Sequence, residues 1–122
     1  MAEDVLREFF ERNGFPFAPL REDRVARVFL PDIGELAVDL SCEDRPCMYV
    51  LFPAAHPSVE FLLQGFWLCD PVRSVGGGMH FVGDGETQIG FLIVLDKSRF
   101  RADSLAAALT QILGAIMRLR QR

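Results

Sequence analysis

The chain has 122 residues, half of them hydrophobic and 25% charged, with a formal charge of −4 and a pI near 5.1. This is one domain, 1–122, long enough to bury a core and too apolar for a disordered segment. The acidic balance makes phosphate backbones and anionic membranes poor partners, so neither nucleic acid nor a membrane is expected.

Asp4 to Asn13 reads as a first helix. Val5, Leu6, Phe9 and Phe10 form its apolar stripe, while Glu3/Arg7 and Glu8/Arg12 stand at i, i+4 spacing on the wet side. Gly14 is suited to stop it and Pro16 prevents its resumption. An acidic amphipathic start is not the basic stretch and greasy run of a signal peptide, so none is expected. The following loop carries Phe15, Phe17 and Leu20, too apolar to stand free in water, and is expected over the edge of a sheet.

Val25 to Leu30 reads as a strand, and Pro31 to Gly34 has turn chemistry. Glu35 to Ser41 alternates, with Leu36, Val38 and Leu40 on one face and Glu35, Ala37 and Asp39 on the other, as in a half-wet antiparallel strand. Glu43 to Pro46 is the next turn and Cys47 to Phe52 a third strand, completing a meander.

Pro57 to Leu68, PSVEFLLQGFWL, is a helix that is apolar on two opposite sides. At about 100° per residue, Val59, Leu62, Leu63, Phe66 and Trp67 share one broad face, with Phe61, Gly65 and Leu68 nearly opposite. A helix of a small domain ordinarily has one apolar stripe and one wet face. The broad face is expected on the protein's own sheet. Phe61, Gly65 and Leu68 are expected to meet a second copy of the chain in a homodimer; a helix wholly buried in one subunit is the alternative.

Asp70 to Ser74 is a loop, Gly76 to Val82 a looser strand and Gly83 to Glu86 a hairpin turn. Thr87 to Leu95 contains the unbroken run Phe91 to Leu95, the pattern of a strand covered on both faces. From Arg101 a long helix carries Leu105, Leu109, Ile112, Leu113, Ile116 and Leu119 in one stripe. Asp103 suits its positive end, and Arg118, Arg120 and Arg122 its negative one. No run approaches the roughly 18 apolar residues of a membrane span. The order α-β-β-β-α-β-β-α predicts an α+β fold, an antiparallel twisted sheet with helices packed on it.

Chemistry is sparse. Cys42, Cys47 and Cys69 are odd in number and lack CxxC spacing, so they read as free thiols of a reducing, cytoplasmic compartment. Cys42, Cys47 and His56 fit no common zinc pattern. Gly76-Gly77-Gly78 lacks the Lys-Ser/Thr of a phosphate loop and precedes a strand, not a helix. No carboxylate pair stands in an apolar setting suited to acid/base work. A pocket lined by Trp67, Cys69 and His80 is the one arrangement that would make a small enzyme or ligand carrier. The reading from residues alone is a non-enzymatic binding protein with surplus apolar surface, without metal or cofactor; eleven Phe against one Tyr and one Trp supply that surplus.

Over nearly its whole length the chain resembles the class I type III secretion chaperones, the Tir chaperone (CesT) family. The likeness lies in VLREFFERNGFP, then VARVFLP, ELAVDLS and CMYVLFP, then VEFLLQGFWL, then IGFLIVLDKSRFRADSLAAAL. The chain departs from the family at Cys69-Asp70-Pro71, where an Asn-containing turn is usual, and at Arg101, where a capping Asp is common. The resemblance implies a homodimeric cytoplasmic bacterial chaperone that binds the N-terminal segment of a secreted effector, keeping it partly unfolded. The secretion ATPase is a further expected partner. It also implies Phe10, Phe15, Phe17, Val28, Leu30 and Leu36 as effector contacts and Phe61, Gly65 and Leu68 as dimer contacts. The alternatives are a regulator of the same fold that sequesters another chaperone or an activator, and a small binding protein outside secretion.

Overall fold

A computed structural model describes residues 2–42, 44–54, 57–69, 78–83 and 87–121. The expected loop at 70–74, the Gly76-Gly77 start of a strand, the turn at 84–86, His56 and Arg122 lie outside them.

Helix α1 is Ala2–Arg12, with Leu6, Phe9 and Phe10 buried. Its end shows why Gly14-Phe15 follows it. Gly14 sits at φ +70° and its N–H donates to Glu11 O at 3.2 Å, while Phe15 N–H donates to Phe10 O at 2.8 Å. That is a Schellman closure, and the Phe10–Phe15 ring contact, 6.0 Å between centroids, is the apolar clasp that accompanies it.

Five strands follow the expected order, with several ends shifted: β1 Val25–Leu30, β2 Gly34–Asp39, β3 Cys47–Pro53, β4 Met79–Gly83 and β5 Gln88–Val94. Every neighbouring pair is antiparallel, in the order β1-β2-β3-β5-β4. The residues expected beyond those ends still bond across: Leu40 N–H reaches Arg24 O and Leu95 N–H reaches Pro46 O. Helix α2, Val59–Leu68, links β3 to β4, and α3, Ala102–Arg120, closes the chain.

One sheet face carries the core. Val28, Leu36, Val50 and Phe91 align across four strands, as do Ala26, Val38, Met48, Ile93 and Met79 across five, and all are buried. Leu105, Ile112, Ile116 and Leu119 of α3 and Leu6, Phe9 and Phe10 of α1 close over them. By length and composition α3 could cross a membrane, contrary to the expectation of no such segment, but its apolar stripe is buried in this core.

Three expectations are corrected. The run in β5 is covered on one face only, because Phe91, Ile93 and Leu95 enter the core whereas Leu92 is half-buried and Val94 is exposed. Pro57 precedes α2 and is not in its first turn; the helix is capped by Ser58, whose hydroxyl accepts from Phe61 N–H at 3.1 Å. The third concerns which side of α2 faces inward. Leu68 is buried and Phe61 packs against the core. A Cβ on Gly65 would stand 2.6 Å from the Phe81 ring. The glycine lets the narrow stripe press against β4, so the broad stripe turns outward.

Candidate interaction surfaces

The first surface is the outer side of α2. Val59 is 72% exposed, Leu63 62%, Phe66 60% and Trp67 48%. Phe66 holds the Phe81 ring edge-on at 5.2 Å and, with Leu62, Phe81 and Ile89, borders a cleft of about 320 Å³ beside the helix. The residues expected at a dimer contact, Phe61, Gly65 and Leu68, are on the inner side, so the available apolar surface is the opposite one.

The second surface is the free edge of β1 with the loop before it. Phe29 is 71% exposed, on the face opposite buried Val28 and Leu30. Of the six residues implied as effector contacts, Phe10, Val28, Leu30 and Leu36 lie in the core, and only Phe15 and Phe17 reach the surface. Phe29 shares its side of the strand VARVFL with Arg27, and that charge is the sequence signal that this side faces water. Phe17 packs edge-on against Phe10 at 5.3 Å with the Arg7 guanidinium 5.5 Å from its centroid. Glu3 accepts from Leu20 N–H at 3.1 Å, tying the loop to the start of α1.

Charges frame these surfaces. Arg27 meets Asp23 at 2.9 Å beside β1, and the hydrogen bond holds the Asp23 carboxyl below its ordinary range. At the far end of α1, Arg12 bridges Asp103 at 2.7 Å and Glu8 at 3.6 Å. On the open sheet face, burial first and then Asp39 push the Tyr49 hydroxyl up.

The three cysteines are free thiols. Burial pushes Cys69 up to about 11, so it stays protonated at neutral pH and is a poor nucleophile. The Trp67–Cys69–His80 pocket that a small enzyme or ligand carrier would need is not assembled. His80 alternates with buried Met79 and faces the other side of the sheet from Leu68 and Cys69. Among the described residues no group of His, Cys, Asp and Glu could hold a metal.

Three helices pack on one face of an antiparallel sheet, and an apolar helix side and a bare strand edge are left over. This fold is that of the class I type III secretion chaperones. A chain of the HopA1-SchA chaperone-effector complex superimposes with a TM-score of 0.74 at 10% identity, over 98% of this chain and 93% of that one. The Yersinia pestis type III secretion chaperone SycH in complex with a stable fragment of YscM2 gives 0.73 at 13% identity, over 98% and 99%. An uncharacterized protein from Methanothermobacter thermautotrophicus gives 0.64 at 10% identity, over 99% and 95%. At these identities the likeness is one of fold. No family model matches the sequence, and no curated protein matches it.

Proposed function

We propose that this protein is a cytoplasmic, non-enzymatic chaperone of a type III secreted effector, acting as a homodimer on the effector's N-terminal segment. The observation that carries the reading is the outward apolar side of α2, Val59, Leu63, Phe66 and Trp67, in a domain whose core is already closed. A stable interface takes about 800 Å² from each partner, more than four side chains supply. The second copy therefore also covers the cleft bordered by Leu62, Phe66, Phe81 and Ile89. The client runs extended along the free edge of β1, where main-chain hydrogen bonds add a strand and Phe29, Phe15 and Phe17 receive its apolar side chains. Ordering such a segment costs free energy, which a contact spanning two subunits offsets.

The test is co-expression with the N-terminal region of an effector encoded beside this chain. A soluble complex of two chaperone chains per client, protecting that region from protease, is the expected result. Leu63→Ser with Trp67→Ser is expected to halve the mass of the free protein in light scattering. A wild-type protein that is monomeric at micromolar concentration and protects no client would overturn the reading. Pull-down of another chaperone or an activator instead would make it a regulator.

A further inference from the structure

At the C-terminal end of α3 stands a cation with firm positioning contacts and, among the described residues, no carboxylate beside it. Arg120 donates from Nη1 to the Asp32 carbonyl at 2.7 Å and from Nη2 to the Ile33 carbonyl at 2.8 Å. Its guanidinium carbon lies 5.1 Å from the centroid of the Phe52 ring. Two carbonyls and a ring hold the fork, yet all three partners are neutral. Among the described residues no carboxylate pairs with it, whereas Arg12 and Arg27 each have an Asp oxygen within 2.9 Å. A guanidinium has five N–H groups, so three are left over among the described residues.

Beside this fork opens a cavity of about 310 Å³ with walls of Phe52, Pro53, Ala54, Pro57 and Phe61. Among the described residues, Ser58 and Arg120 are its polar members. That volume is at the lower end for ligand sites, which run from about 300 Å³ upward. It suits one bulky side chain with its attached polar group better than a larger cofactor. The negative end of α3 would oppose an anion here, and Arg118 in the same last turn, together with Arg120, offsets it.

We propose that this cleft binds a carboxylate carried next to a bulky apolar side chain of a peptide, the side chain filling the cavity and Arg120 pairing with the carboxylate. A planar fork already immobilised on one side loses little further freedom on binding an anion, and paired N–H groups match the two oxygens. The carboxylate can be a chain terminus or an acidic side chain, since both present the same group. The inference goes beyond the chaperone reading. Its test reads peptide binding and not subunit mass, so one can fail while the other stands.

Three peptides are titrated into the full-length protein, with NMR signals of Phe52, Ala54 and Phe61 as the readout: acetyl-Leu-Phe as the free acid, acetyl-Glu-Phe-amide and acetyl-Leu-Phe-amide. At least one of the two acids is expected to give saturable shifts, and the neutral amide to bind about tenfold more weakly. The tighter of the two acids identifies the source of the carboxylate. Arg120→Gln is expected to erase the preference for acid over amide. Because Arg120 also holds the Asp32–Ile33 turn, Ala54→Leu provides a second variant that fills the cavity and leaves the guanidinium in place; it is expected to abolish binding. Equal affinity for acids and amide, no saturable shift with any peptide, or unchanged binding in Ala54→Leu would each overturn the proposal.

Discussion

Helices α1 and α2 differ little in length and treat their surfaces in opposite ways. α1 buries Leu6, Phe9 and Phe10 and turns Glu8 and Arg12 to solvent, where Arg12 also reaches Asp103 on α3. α2 sets a glycine against the sheet and presents Val59, Leu63, Phe66 and Trp67 outward. The same kind of side chain thus does different work in the two helices. In α1 the aromatic residues hold the domain together; in α2 most of them lie beyond what the domain needs, which points to a second surface.

The contrast can be tested by substitution, with Phe10 giving the largest expected effect. Phe10→Ala removes a ring that is 1% exposed and touches Phe9, Phe15 and Phe17. A loss of about 3–5 kcal/mol in denaturant unfolding is expected. Val59→Ser, on the outer side of α2 where the side chain is mostly in water, is expected to change the stability of the isolated subunit by no more than about 0.5 kcal/mol. Equal losses at the two positions would refute the division.

Gly65→Ala sharpens the orientation of α2. In an open helix interior this change stabilises by about 1 kcal/mol. Here the new methyl meets the Phe81 ring at 2.6 Å, and overpacking costs about 1–3 kcal/mol. A net loss is expected, with displaced Phe66 and Phe81 resonances. A gain would mean that the Phe81 ring gives way to the methyl and does not hold α2 in place.

The smallest effect concerns pH. Cys69 is pushed up to about 11 by burial, above the value for an unfolded thiol. The stability it contributes is fully present below the unfolded value, near 9. It is lost as pH rises toward the folded one, because the unfolded chain ionises first. Iodoacetamide labelling of Cys69 is expected to stay slow at neutral pH and to accelerate toward pH 11. Rapid labelling at pH 7 would show that this end of α2 is open.

Element order, the three-strand meander and the β4–β5 hairpin were legible in the sequence, because alternation, turns and helical spacing are local properties. The pairing of β3 with β5 was not. Leu36, Val38 and Leu40 share a face because successive strand residues must point opposite ways. Direction was harder to read. Spacing showed that α2 has two apolar sides, but the choice between them depends on Phe81, a residue of a strand sixteen positions further on. In VARVFL, Val28 and Phe29 are both apolar, and Arg27 on the side of Phe29 is the one local sign of which is covered. Ala37 was read as wet by its parity and is fully buried, because a small side chain between larger neighbours is hidden whichever way it points. Arg120 was read as a helix-end charge. Its contacts with Asp32 and Ile33 cross 88 and 87 positions of chain, and no local pattern records them.

The chain has a single tryptophan, and it stands half in water on the outer side of α2. Its indole emission is therefore an unlabelled optical gauge of that side alone. Dilution, salt or a client peptide that uncovers the helix will redden it, and closure will turn it blue.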